Sequence, residues 1–115
     1  MRGAPPLVDA TKTTTKKILT TMVQNLVSPR SGKAVANQFI VRTENGTFFQ
    51  SYRSIVAKVD NLGNVTLGRD WDYSRTTMKY LMQFLRPFGY GDLNTERVRQ
   101  KLKNGDFKLS DDLYF

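Results

Sequence analysis

The chain has 115 residues and carries 18 Lys and Arg against ten Asp and Glu, a formal net charge of +8. A chain this short builds one modest core and so one domain, and with a mean hydropathy of -0.47 it has no apolar run near the roughly 20 residues that cross a bilayer. The absence of Cys and His excludes disulfides, thiolate nucleophiles, Ser-His-Asp relays and ordinary zinc or copper sites, so neither a metal nor a cofactor is expected. The segment Met1 to Val8 has no apolar core of a secretory signal, and an intracellular, membrane-free setting follows as the expectation.

Residues 1–17 join Pro5-Pro6 to the Thr and Lys run ending at Lys17. Little apolar surface is available there to offset the entropy of ordering, and a flexible basic arm is predicted. From Ile18 the residues Ile18, Met22 and Leu26 fall at i, i+4 and i+8, beside Leu19 and Val23. That spacing predicts a short helix from about Lys16 to Val27, stopped by Ser28-Pro29-Arg30-Ser31-Gly32. Residues 18–34 are therefore assigned as short helix and linker, and 35–115 as a single α+β domain.

Val35 to Thr43 alternates, with Val35, Asn37, Phe39 and Val41 on one side and Ala36, Gln38, Ile40 and Arg42 on the other, as a strand does. Asn45-Gly46 suits a type I′ turn into a returning strand from Thr47 to Tyr52. Ser54 to Asp60 forms a third strand, and Asn61-Leu62-Gly63-Asn64 turns it into a fourth at Val65 to Leu67. An antiparallel meander of three to four strands is the economical arrangement. After Trp71 the period changes to about 3.6. Ser74, with Asp72 as its rival, caps a helix from Arg75 to Leu85 that buries Thr77, Tyr80, Leu81, Phe84 and Leu85 before Pro87 ends it. Asn94 or Thr95 caps a second, C-terminal helix to about Asn104, with Val98 and Leu102 inward and Gly105 at its end. Phe107-Lys108-Leu109 either adds a short strand or packs its two apolar side chains. The fold class is thus α+β, a small meander covered by a helix, with an additional N-terminal and C-terminal helix.

The charge is unevenly spread. Residues 1–34 hold six bases against one acid and residues 72–103 hold seven against three, while residues 35–71 hold four against three. Arg75, Lys79, Gln83 and Arg86 share a narrow stripe opposite the apolar face of their helix, a pattern that a solvated outer face also explains. Arg97, Arg99, Lys101 and Lys103 crowd like charges at i and i+4 on the next helix with only Glu96 among them, a repulsion that an anionic partner would convert into affinity. Tyr52, Tyr73, Tyr80, Trp71, Phe48 and Phe49 supply aromatic surface; most belong in the core of so small a domain, and any ring left exposed beside Arg suits a single-stranded base. Asn37, Gln38, Gln50 and Ser51 put polar side chains near the centres of two adjacent strands, as a cross-strand hydrogen-bond cluster would. Asp70, Asp72 and Tyr73 are read as cap and surface residues rather than as a catalytic set. Lys33 after Gly32 does not complete a phosphate loop, because the glycine five residues earlier is missing and a strand follows.

Three spaced strings, Asn37-Gln38-Phe39, Phe49-Gln50-Ser51-Tyr52 and Trp71-Asp72-Tyr73-Ser74 leading to Thr76-Thr77, together resemble a family of small proteins of bacteriophages and other bacterial mobile elements. The resemblance spans about Ser28 to Leu113, includes the ending Gly105-Asp106-Phe107-Lys108-Leu109, and brings no assigned activity. It implies a viral origin and hence the host cell cytoplasm, or association with the virion, as the setting. From the charge, the expected function is non-enzymatic binding of nucleic acid, DNA or RNA, without strong sequence specificity. The residues assigned to it are Lys12, Lys16 and Lys17 of the arm, Arg75, Lys79 and Arg86, and Arg97, Arg99, Lys101 and Lys103. The alternative is an interaction module for another protein, either an acidic host factor that it inhibits or a virion component.

Overall fold

A computed structural model describes residues 21–113. Among the described residues six strands form one sheet in sequence order: β1 Met22–Val27, β2 Ala34–Thr43, β3 Gly46–Ser51, β4 Ser54–Val59, β5 Val65–Gly68 and β6 Phe107–Ser110. The first five run as an antiparallel meander, and β6 joins β5 in parallel. A parallel neighbour requires a crossover; it consists of a 3₁₀ turn at Arg69–Asp72, helix α1 Arg75–Leu85, a second turn at Arg86–Phe88, and helix α2 Thr95–Asn104.

The α+β class is as expected, while the strand number is six rather than three to four. The predicted N-terminal helix is replaced by β1 over its described residues; Lys16 to Thr20 and the basic arm lie outside them. The stripe at helical spacing does not act as one, because Leu26 is buried while Met22 is 59% exposed. Pairing with β2 satisfies the β1 backbone in a way no local pattern announces. Ser28 to Gly32, read as a helix stop, lies in the link that closes this hairpin: the Ser28 hydroxyl accepts from the amides of Arg30 and Ser31, and the Ser28 amide donates to the Lys33 carbonyl at 2.9 Å. The outer edge of β2 is accordingly covered by β1. Phe107-Lys108-Leu109 takes the strand alternative, and β6 follows the C-terminal helix.

The β2–β3 hairpin forms one residue earlier than predicted. Thr43 faces Gly46, so Glu44 and Asn45 are the two link residues. Neither has a positive φ, which excludes the type I′ turn; instead the Thr43 hydroxyl accepts from the Asn45 amide at 3.0 Å.

Helix α1 has its predicted bounds. The Ser74 hydroxyl accepts from the Thr77 amide, and all five residues assigned to its inner face are buried. Phe84 stacks on Phe49 of β3 with ring centroids 5.7 Å apart, which places α1 over the middle of the sheet. Helix α2 is capped by Asn94, whose side chain accepts from the Arg97 amide, and ends on Gly105 at φ +88. Its Val98 is fully buried in the same cluster as Leu67, Leu81, Phe107 and the lone tryptophan, Trp71. The face away from the helices carries the transverse row Val23, Val41, Phe48, Lys58, Thr66 and Lys108, with the Lys58 ammonium 5.6 Å from the Phe48 ring centroid.

The β4–β5 turn is held by Asp60, whose carboxylate accepts from the amides of Leu62 and Asn64, each at 2.9 Å, and from the Asn64 side chain. The Asn64 amide foremost, with Leu62 and Lys58 adding to it, holds this carboxyl below its ordinary value of 3.8. A depressed carboxylate contributes stability above its unfolded pKa and loses it as the pH falls through the folded value. Asp60→Asn is therefore expected to lose less stability between pH 5 and 2 than the wild type, measured as the shift of urea midpoints. Equal shifts in both proteins would show that the turn contributes nothing to acid sensitivity.

Candidate functional site

The β3–β4 link is only two residues long, since Ser51 pairs with Ser54 across it. Tyr52, the first link residue, sits at φ +56, a left-handed conformation that disfavours a bulky side chain. It is held there by its amide, which donates to the Asn37 carbonyl at 2.7 Å, and by the Gln50 side chain, which donates to the Tyr52 carbonyl at 2.7 Å. Asn37 is itself left-handed at φ +65. The two constrained residues lock one end of the hairpin and push the Tyr52 ring outward, 60% exposed.

That end of the sheet faces the start of α1. Between them lies an open cleft of about 700 Å³, within the size range of small-ligand sites. One wall is Ser51, Tyr52, Arg53, Ser54 and Val56; the other is Asp70, Tyr73, Ser74, Thr76 and Thr77. Tyr73 is 81% exposed. The lining is thus two phenol rings, one guanidinium, one carboxylate and five hydroxyl side chains around a single apolar residue, Val56. Hydroxyls both donate and accept, so the cleft can meet a polar, planar group without demanding one pattern.

The four polar strand residues expected to bond across β2 and β3 do not form that cluster. The Gln50 amide turns to the Tyr52 backbone. Gln38 faces Ser51 in register and is buried, yet its Oε1 has no hydrogen-bond partner among the described residues. Neighbouring positions on a pleated strand do not ensure that amide heads meet, because each side chain also answers to the groups above it.

The cationic residues divide between the helices. On α2, Arg97 binds Asp92 at 2.7 Å. Arg99 lies 3.4 Å from Asp72 and over the Trp71 ring. Lys101 lies 3.9 Å from Asp106 and covers the rings of Tyr90 and Phe107. The acids missing from the α2 sequence are supplied by the residues around it, and only Lys103 of the four has no ion pair among the described residues. Arg75 and Lys79 on α1, and Arg86 in the turn after it, have none either, and all three are exposed; the Lys79 ammonium lies 5.1 Å from the Tyr80 ring centroid. Gln83, the fourth member of that stripe, donates to the Val27 carbonyl. Lys12, Lys16 and Lys17 lie outside the described residues. Arg53 was absent from the sequence assignment, since nothing around it marks a binding residue except its place in a two-residue link. Of the six aromatics, Tyr80, Trp71, Phe48 and Phe49 are buried and Tyr52 and Tyr73 are exposed.

The family model described as "Family of unknown function (DUF8033)" matches residues 21–104, well over half of the 115-residue chain. The chain belongs to this family. The match starts just before β1 and ends on the last residue of α2, so the family region holds five strands, both helices and every residue of the cleft. No curated protein and no solved structure matches the chain. Among the described residues, no helix is long and apolar enough to cross a membrane.

Proposed function

We propose that this family member is a small non-enzymatic bacteriophage protein of the host cell cytoplasm that binds nucleic acid with little sequence preference. The observation that carries the reading is the cleft at the start of α1, where Arg53, without an ion pair among the described residues, shares the lining with the exposed rings of Tyr52 and Tyr73, and where Arg75 stands in sequence between the lining residues Ser74 and Thr76. Phosphates supply most of the binding free energy for such a surface, and stacked rings favour unpaired bases. The α2 cations contribute less than the sequence alone suggested, because three of them are already engaged. The net charge of +8 supports the reading through long-range attraction, and the lack of His and Cys supports a binding rather than a catalytic role. The phage setting rests on the resemblance of the three spaced strings.

Fluorescence anisotropy with labelled single-stranded and duplex DNA and RNA tests this. Affinity is expected to fall with salt along a log–log slope of about -2 to -3, as for three or four neutralised phosphates on a single strand. Combining Arg75→Glu, Lys79→Glu and Arg86→Glu should weaken binding and flatten that slope. No binding to any of these probes at low salt ends the proposal.

A second reading, contact with another protein, is favoured by β1. At the edge of the sheet among the described residues, β1 exposes Met22, Val23 and Val27, and a strand edge can pair with a partner chain. Co-purification of a defined phage or host protein that survives nuclease treatment, and is lost on Val23→Lys, would favour it over the first.

A further inference from the structure

Resting on the nucleic-acid reading, we propose that the cleft between the Tyr52 turn and the start of α1 receives one unstacked base of a single strand, with Tyr52 and Tyr73 as its stacking faces and Arg53 on the adjoining phosphate. Three observations converge on this. The cleft has a volume of about 700 Å³, ample for a base and its sugar. Its two rings are 60% and 81% exposed, although a domain this small has every reason to bury aromatic area.

Tyr52 holds its ring at the cleft through a left-handed φ of +56. Gly or Asn would adopt that conformation more easily, and backbone strain of this kind gathers where a side chain must be aimed.

The charges set the direction of entry. Asp70 is the acid of the lining and repels a phosphate while accepting readily from an exocyclic amino group. Arg53, without an ion pair among the described residues, and Arg75, in sequence between the cleft residues Ser74 and Thr76, draw the backbone to the rim. A duplex cannot present a base in this way without unpairing it, so the cleft favours single strands where a merely cationic surface would favour the denser charge of a duplex.

The test uses the full chain with labelled single-stranded DNA, single-stranded RNA and duplex probes of equal length, comparing the wild type with Tyr52→Gly and Tyr73→Ala. Glycine removes the ring and accepts φ +56 freely, so Tyr52→Gly should melt at or above the wild-type temperature. Its affinity for single strands should still fall about tenfold, with duplex affinity within twofold and the salt slope unchanged. Tyr73→Ala should act in the same direction. Full single-strand affinity in both variants, or equal losses on single strands and duplex, overturns the cleft while leaving the electrostatic reading in place. Absence of wild-type binding to every probe overturns both. Unequal affinity for the DNA and RNA single strands would show that the sugar enters the cleft with the base.

Discussion

Phe49→Ala is expected to lower stability by about 3–5 kcal/mol and the melting temperature by about 20 °C. Phe49 is fully buried at the centre of β3, pairs with Ile40 on one side and Ala57 on the other, and stacks on Phe84 of α1. It is the side chain through which the crossover helix and the meander hold each other. Its neighbours are anchored to different strands and cannot all move inward, so truncation leaves a void rather than a repacked core. A domain of this size has only about 5–15 kcal/mol of stability, and the loss is a large share of it. Urea unfolding followed through the single Trp71, itself buried against the same cluster, measures it. A loss below about 1.5 kcal/mol would mean that α1 is held mainly by other contacts. Because the cleft has one wall on β3–β4 and the other at the α1 start, the same variant should also weaken single-strand binding.

Gly46→Ala should be nearly as damaging, at about 2–5 kcal/mol, the sum of a left-handed backbone cost and overpacking. Gly46 has φ +142, and a Cβ built on it would lie 2.6 Å from the Val59 carbonyl oxygen and 3.0 Å from the Asp60 Cα. Those atoms are backbone at the end of β4, where Thr47 pairs with Val59, and they cannot yield without opening that pairing. Gly105→Ala is the control: its φ is +88 with nothing within 4 Å of the added atom, and only the backbone cost of about 1–2 kcal/mol applies. The difference between the two urea-derived values isolates the steric part. Equal losses would show that β4 shifts freely and that the close approach is not a constraint.

Much of the fold is legible in the residues because several signals are local. Ser74 and Asn94 cap the helices that follow them by bonds to backbone three residues on, and the apolar period of α1 marks its buried face residue by residue. The Asp60 turn and the β2–β3 hairpin are equally short-range. What misled was β1: Ile18, Met22 and Leu26 fit a helical stripe, and only the presence of an unpaired β2 edge makes the extended form the better one. The same holds for the charge on α2. Its four cations look unopposed along the chain, and their acids, Asp72, Asp92 and Asp106, arrive from the turns before and after the helix. Arg53 was overlooked because the property that matters is its position at a cleft, which has no counterpart in the sequence.

The sequence by itself determined the class, the borders of α1 and α2 and the three antiparallel links after β1, together with the exclusion of thiol, imidazole and disulfide chemistry. Each of these depends on residue type or on contacts within a few residues. Tertiary structure alone decided that the meander has a strand before it and a parallel strand after it, and that three α2 cations are ion-paired while Arg75 and Lys79 of α1 have no ion pair among the described residues. It also decided which two of six aromatics remain exposed. These are outcomes of competition between distant segments for the same hydrogen-bonding edges, acids and buried area. The spaced strings around Ser51-Tyr52 and Tyr73-Ser74 look unrelated along the chain; folding brings them to one cleft, because a two-residue link and a helix start meet at the same end of the sheet.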